Sequence, residues 1–271
     1  MSRVATRFAQ CLNNGRKAFI PFITAGDPDL ETTRALIVEL SRAGATLIEL
    51  GVPFSDPMAD GPVIQRASER ALRNRFGLAE IFQIAAATRA EADTPLILFS
   101  YLNPLLQFGL ERVAAEARAS GIDGVLVTDL TPEEAGEFAA ILRAQDLDLI
   151  FLVAPTSTDA RLQMVAECAT GFIYAVSRAG VTGVRETTSE AAEKLVNRVR
   201  KFSTLPVAVG FGISTAEQVA DVWRYADAAV VGSAIVGEIE KLQGSPDLVK
   251  RVGDFSRRLV APGRVAPDFG N

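Results

Sequence analysis

The chain has 271 residues, of which 48% are hydrophobic and 23% are charged, so it can bury a large core as one big domain or two modest ones. A net charge of -5 excludes an overall basic surface for nucleic acid or membranes, and no run reaches the roughly 18 apolar residues of a membrane span. The two cysteines, Cys11 and Cys168, are too few for a disulfide framework. We therefore expect small-molecule or protein partners and a cytoplasmic location, or a plastid stroma if a transit peptide has been removed.

The chain contains no histidine. That absence excludes Ser-His-Asp and Cys-His catalytic sets and nearly all zinc sites. Proton transfer would then depend on carboxylates, tyrosine, lysine or cysteine, and we predict no metal site.

After a short amphipathic helix over 2–13, apolar runs of strand length alternate with stretches of helix length. The predicted strands cover residues 17–24, 45–51, 95–100, 122–128, 147–153, 171–176, 205–210 and 228–231. The predicted helices cover residues 30–43, 63–74, 78–91, 110–119, 132–144, 159–168, 190–202 and 215–225. A C-terminal helix and tail occupy about 245–271.

Eight predicted strands, each followed by a helical stretch, are typical of a (β/α)8 TIM barrel, whose usual size is ~250 residues. No low-complexity linker separates them, so we predict an α/β fold with a single domain over 1–271. The alternative is a Rossmann-like open sheet, which usually shows a GxGxxG motif after its first strand. No such motif opens this chain.

Glu49 lies in the second predicted strand, and it shares a face with Leu47 because side chains alternate along a strand. In a sheet covered on both faces, burial raises the pKa of such a carboxyl, which suits it to acid/base work. Asp60 follows in a proline-rich loop, just before Pro62, which can begin a helix. The alternative is a structural ion pair for Glu49 and a helix cap for Asp60.

Catalytic groups of TIM barrels lie at the carboxyl ends of the strands and in the loops that follow. Both carboxylates fall there, with an aromatic neighbourhood that would suit an aromatic substrate or simply close the top of the core. The neighbours expected by this rule are Phe22, Thr24, Tyr101, Asp129, Tyr174 and Phe211. The loop over 53–60 and the segment over 178–188 lack apolar anchors in the sequence, and we expect both to sample open conformations.

Three late loops, over 177–183, 210–214 and 232–236, are rich in glycine. Glycine allows backbone N–H groups to approach a ligand, and the loops after strands seven and eight are the usual phosphate site of this fold. Gly212, Gly232 and Ser233 are the candidates, although turns also require glycine.

The motifs PFITAGDP, ELGVPFSDPMADGPVIQ, SRAGVTG, GFGIS and GSAIV, in this order and spacing, resemble those of the tryptophan synthase alpha subunit family over nearly the whole chain. The resemblance implies a lyase that cleaves indole-3-glycerol phosphate to indole and glyceraldehyde 3-phosphate, with Glu49 and Asp60 as the catalytic pair. It also implies a pocket for the indole and glycerol groups, lined by Phe22, Ile64, Tyr101, Leu126, Tyr174, Thr182 and Phe211. The implied phosphate-binding residues are Gly183, Gly212, Gly232 and Ser233.

The same resemblance implies a partner. The chain would join a beta subunit in an alpha2beta2 complex and pass indole to it, with Asp56 facing that subunit. No cofactor is expected in this chain, because pyridoxal phosphate belongs to the beta subunit. The competing interpretations are a stand-alone indole-releasing lyase, another phosphate-binding barrel such as an isomerase, and a catalytically silent regulatory subunit.

Overall fold

The structure is a computed structural model that describes residues 1–176, 188–210 and 212–261. Its eight strands are all parallel and pair in chain order, and β8 returns to β1, so that the sheet closes into a barrel. The strands are β1 (Ala18–Thr24), β2 (Ile48–Gly51), β3 (Leu96–Ser100), β4 (Gly124–Val127), β5 (Asp148–Val153), β6 (Ile173–Val176), β7 (Val207–Gly210) and β8 (Ala228–Val231). The predicted TIM barrel is confirmed, and the open sheet is wrong.

Helices surround this barrel in the described part of the chain. They are α1 (Arg3–Asn13), α2 (Leu30–Arg42), α3 (Pro62–Leu72), α4 (Leu78–Thr88), α5 (Leu102–Phe108), α6 (Leu110–Ser120), α7 (Gly136–Ala144), α8 (Asp159–Cys168), α9 (Thr188–Val199), α10 (Ala216–Tyr225), α11 (Ser233–Lys241) and α12 (Leu248–Val260). Helices α5 and α11 were not predicted from the sequence pattern. Helix α5 has no capping side chain of its own at its first turn; instead Asp129, from the loop after β4, accepts a 2.7 Å hydrogen bond from the Leu102 N–H.

The carboxyl ends of the strands are where the sequence places them. Seven strands end at the predicted residue, and β4 ends one residue earlier, at Val127. The amino ends begin up to three residues later than predicted. This agreement matters for function, because the loops that leave the carboxyl ends form the mouth of a TIM barrel.

Two apolar layers fill the fold, and the alternation at the start of β2 shows both. Leu47, just before β2, points into the barrel interior, whereas Ile48 and Leu50 of β2 pack outward against the helices. At the amino-terminal end, the ring of Phe8 of α1 packs at a tilt against the ring of Phe172, with ring centroids 5.6 Å apart. This contact closes the bottom of the interior. Glu49, on the same face as Leu47, therefore points into a closed apolar interior.

Candidate active site

Glu49 is the most buried carboxylate of the barrel interior. It stands on β2 between Phe22 of β1 and Ile97 of β3, and only 1% of its surface is exposed. Burial raises the pKa of Glu49 to about 8, and its Oε1 atom has no hydrogen-bond partner. No salt bridge to Glu49 occurs within the described residues, so the structural ion pair considered above has no support among them. At neutral pH this side chain holds a proton that it can give up.

Tyr174 of β6 lies within electrostatic reach of Glu49 in the same interior. Burial and, second, the Glu49 charge both raise the pKa of Tyr174 far above its usual value, so the phenol stays protonated. Gly210 of β7 makes room for it, because a Cβ atom at that position would collide with the Tyr174 hydroxyl. The residue pair places a neutral hydroxyl beside the buried carboxyl.

Asp60 lies in the loop between β2 and α3 and is partly buried at the mouth of the barrel. Burial raises the pKa of Asp60 to about 6, while the neighbouring Tyr101 hydroxyl lowers it. Helix α3 begins at Pro62, one residue before the predicted range of 63–74, and its N-cap is Gly61 without a side-chain cap. The capping role considered for Asp60 is therefore wrong, and its carboxylate remains available to a ligand.

The loop that carries Asp60 is anchored, contrary to the expectation from sequence. The Phe54 ring packs on Tyr101 with centroids 5.1 Å apart, and the Ala59 N–H donates a 2.9 Å hydrogen bond to the Tyr101 hydroxyl. The Gln65 side-chain amide donates to the Asp60 carbonyl at 2.9 Å. Sequence reasoning missed Phe54 and Gln65 as anchors; the only local signal is an aromatic residue inside a proline-rich loop.

A cleft at the mouth gathers several of the predicted substrate residues. Phe22, Ile64 and Tyr101 line it together with Asp60, and so do Phe99 and Ser100, which were not among the predicted site residues. Phe99 meets Phe22 edge to face, with centroids 5.3 Å apart.

Leu126 and Tyr174 lie deeper, in the apolar interior of the barrel. Thr182, Gly183 and Phe211 lie outside the described residues, as does the segment over 178–188 that was expected to sample open conformations, apart from its final residue.

The start of α11 forms a second part of the mouth. Gly232 is its N-cap, Ser233 is its first residue, no side chain caps it, and no acidic residue occupies its first turn. A Cβ atom at Gly232 would lie 3.6 Å from Phe22, which places this helix end against the cleft. Free N–H groups and the positive end of the helix dipole favour an anion there. Gly212 has a φ of +76°, a conformation that glycine adopts without strain.

The described residues hold neither a metal-binding cluster nor a membrane-spanning helix. No group of three metal-ligating side chains occurs in the ranges that the structure covers. Among the same residues, no helix is long and apolar enough to cross a membrane. Asp56 is exposed on the Asp60 loop, so it is free to face a partner.

These features define a class: a TIM-barrel protein with two carboxyls of raised pKa at the carboxyl ends of its strands and a helix N-terminus without a side-chain cap beside them. A family model described as tryptophan synthase alpha chain matches residues 8–260. The chain belongs to this family, and it is a lyase that cleaves indole-3-glycerol phosphate in tryptophan biosynthesis.

Individual relatives cover almost all of the chain. The tryptophan synthase alpha chain of Geotalea uraniireducens (strain Rf4) is 50% identical over 261 residues, which is 96% of this chain and 97% of the relative. A solved structure of tryptophan synthase subunit alpha from Legionella pneumophila str. Paris is similar with a TM-score of 0.88 at 34% identity, over 97% of this chain and 99% of that one. The tryptophan synthase complex from Pyrococcus furiosus gives a TM-score of 0.81 at 37% identity, over 91% and 99%.

Proposed function

We propose that Glu49 is the acid/base catalyst of a retro-aldol cleavage that splits indole-3-glycerol phosphate into indole and glyceraldehyde 3-phosphate. The reaction requires a proton on indole C3 and removal of a proton from the side-chain hydroxyl. The observation that supports the role is the buried carboxyl of Glu49, which has no ionic partner in the described chain and a pKa of about 8. A general acid with a pKa near the working pH is the most effective kind.

Asp60 has the complementary role in this proposal. With a pKa of about 6, it is mainly ionised at neutral pH, and it lies at the mouth where the indole ring would enter. Its carboxylate accepts a hydrogen bond from the indole N–H and stabilises the positive charge that develops on the ring nitrogen. The two carboxyls thus have different protonation states because Glu49 is buried more deeply than Asp60.

The remaining substrate groups have matching surfaces. The indole ring would lie among Phe22, Ile64 and Tyr101, which share the cleft with Asp60. The phosphate would bind the free N–H groups at Gly232 and Ser233. The indole ring itself accepts the electrons of the broken bond, so the proposal includes no cofactor in this chain.

A beta subunit is the proposed protein partner, in an alpha2beta2 complex in the cytoplasm, and it receives the indole. Two of the exposed large apolar side chains in the described chain support a docking surface near the mouth: Met58 is 88% exposed on the Asp60 loop, and Leu106 is 53% exposed on α5. Asp56 stands beside Met58 on the same loop. A partner seated there would contact the loop that positions Asp60.

The test is an assay of the purified chain with indole-3-glycerol phosphate, in which glyceraldehyde 3-phosphate is measured with and without a beta subunit. Cleavage that accelerates when the beta subunit is added supports the proposal. Equal rates in both conditions would favour the stand-alone lyase, and no product in either condition would favour a catalytically silent subunit. Replacing Met58 and Leu106 by serine should weaken the acceleration while leaving the rate of the isolated chain within about twofold, because neither side chain lines the cleft.

A further inference from the structure

The two helices that begin at the mouth, α3 and α11, pack against each other. Helix α3 starts just after the loop that carries Asp60, and α11 starts at the proposed phosphate site. Ala67 of α3 and Val236 of α11 belong to one small apolar cluster with the cleft residue Phe22. Apolar contacts are non-directional, so this cluster holds the helices together without fixing how far one can slide along the other.

Two arginines of α3 bind one carboxylate of α11. Arg66 donates two hydrogen bonds of 2.8 Å to the two carboxylate oxygens of Glu240. Arg70, one turn further along α3, donates a hydrogen bond of 2.6 Å to the same carboxylate. These bonds are directional, because a guanidinium group donates within its own plane. They therefore fix the position of α3 along α11.

Arg70 also holds the loop that follows β1. It donates hydrogen bonds of 2.8 Å to both carboxylate oxygens of Asp27, whose side chain is 1% exposed. Removing one partner of such a buried ion pair is strongly unfavourable, so this contact is firm. The Asn74 amide, just beyond the end of α3, donates to the carbonyls of Gly26 and Pro28 in the same loop. One guanidinium group, that of Arg70, thus joins α3 to α11 and to the end of β1.

Each of the three joined segments carries a different part of the site. Strand β1 supplies Phe22 to the cleft, the loop before α3 supplies Asp60, and α11 begins after Gly232. Arg70 itself does not line the cleft in the described chain, so it acts on a ligand only through these segments. Their relative position matters because a displacement of ~1 Å can cost about 100-fold in rate when one substrate must meet several groups at once.

We propose that Arg70 is a positioning residue that sets the distance between the Asp60 carboxylate and the phosphate site at the start of α11. The inference rests on the proposed function, because that distance matters only to a substrate that carries an indole ring and a phosphate group in one molecule. A ligand that fills only one half of the site is insensitive to the distance. Loss of the Arg70 link therefore weakens binding of the whole substrate selectively, whereas a general loss of structure weakens binding of every ligand.

NMR titrations of the full chain with three probes test this selectivity. Indole-3-propanol phosphate carries both groups and has no side-chain hydroxyl from which cleavage can start, while indole and glycerol 3-phosphate each fill one half of the site. The variants are Arg70→Lys, which keeps a cation beside Asp27 but lacks the planar fork, and Glu240→Ala, which leaves the pair of Arg70 and Asp27 intact. Each variant should bind indole-3-propanol phosphate about fivefold or more weakly and each single-group probe within about twofold of the wild type.

Arg257→Gln is the matched control. Arg257 lies 2.8 Å from both Glu39 and Asp254 and joins α12 to α2, neither of which lines the cleft. Its loss should leave the affinity for all three probes within about twofold of the wild type.

The outcomes separate the inference from the proposed function. Glu240 is partly exposed, so Glu240→Ala decides the outcome even if Arg70→Lys fails to fold. Unchanged affinity for indole-3-propanol phosphate in Glu240→Ala, or an equal loss for all three probes, overturns the positioning role alone. A wild type that binds indole-3-propanol phosphate no more tightly than its two halves overturns the proposed function and the inference with it.

Discussion

Glu49 and Asp123 are both buried carboxylates of the barrel, but they lie in opposite electrostatic surroundings. Asp123 stands just before β4 at the amino-terminal end and is 4% exposed, and Glu49 is 1% exposed. Asp123 accepts a 3.0 Å hydrogen bond from the Leu96 N–H and lies 3.3 Å from the guanidinium groups of both Arg3 and Arg89. Glu49 has no ionic partner in the part of the chain that the structure describes.

The comparison shows that burial alone does not identify a catalytic carboxylate. Burial raises the pKa of both groups, but at Asp123 a backbone hydrogen bond and three arginines counteract it. A carboxylate with bonded oxygens ties elements of the fold together, whereas one without partners keeps its proton and its reactivity for a substrate. The unpaired group lies toward the mouth, where TIM barrels carry their chemistry.

Replacing Glu49 should have the largest effect on cleavage. We expect Glu49→Gln to reduce the turnover number about 100-fold or more with little change in substrate affinity, because the amide keeps the shape but transfers no proton. A single-turnover assay with a binding titration measures both quantities. Turnover above about a tenth of the wild-type value would contradict the catalytic role.

The pH dependence of folding stability in the same variant gives an independent measure of the raised pKa of Glu49. The folded-state pKa of about 8 lies above the ordinary value of 4.5, so between these values the folded wild type holds a proton that the unfolded chain has released. Wild-type stability should therefore decline as pH rises through this range, and Glu49→Gln should lack that component. Urea unfolding from about pH 5 to about pH 8 tests it, and parallel curves for the two proteins would contradict the pKa.

Asp60→Asn should come next, with a loss of roughly 100-fold in turnover because the developing charge on the ring is no longer stabilised. In the wild type, kcat/KM should fall below about pH 6, as Asp60 is protonated, and above about pH 8, as Glu49 loses its proton. The variant should lose the acid limb and keep the alkaline one. Asp56→Asn, on the same loop but exposed, is the control, and a shared loss in both variants would assign the effect to the loop rather than to the charge.

Tyr101→Phe should have a smaller effect. It removes the hydroxyl that accepts a hydrogen bond from Ala59 and that lowers the pKa of Asp60. We expect kcat/KM to fall about fivefold, as for the loss of one hydrogen bond, and the acid limb of the pH profile to move to higher pH. Tyr225→Phe, on α10, is the matched control. An unmoved acid limb would show that Tyr101 does not tune Asp60.

Asp123→Asn should change cleavage least, by less than about twofold, and stability most. Loss of the carboxylate weakens its bonds to Arg3 and Arg89 and leaves buried donors unsatisfied, at roughly 1–3 kcal/mol of the free energy of unfolding. Denaturant unfolding together with the cleavage assay tests the pair of effects. A variant of full stability but low activity would reverse the comparison with Glu49.

The sequence by itself determined the barrel and the position of its catalytic candidates. The alternation of apolar strands and helices is a local property, since each segment carries its own period, and it located the carboxyl end of every strand to within one residue. Strand alternation also placed Glu49 on the interior face with Leu47. The glycine-rich loop after the eighth strand selected Gly232 and Ser233 as candidates, although the helix α11 that begins there was not predicted.

Only the tertiary structure decided which charges have partners. Helix α5 could not be predicted because its cap is Asp129, a residue 27 positions away in sequence. The anchoring of the Asp60 loop depends on Tyr101, which lies at the end of another strand. The contact between Arg3 and Asp123 joins the first helix to the start of β4, two segments that are far apart in the sequence. A carboxylate becomes structural or reactive according to the groups that the fold brings to it from distant segments. Local sequence patterns do not determine which of these distant groups will be in contact.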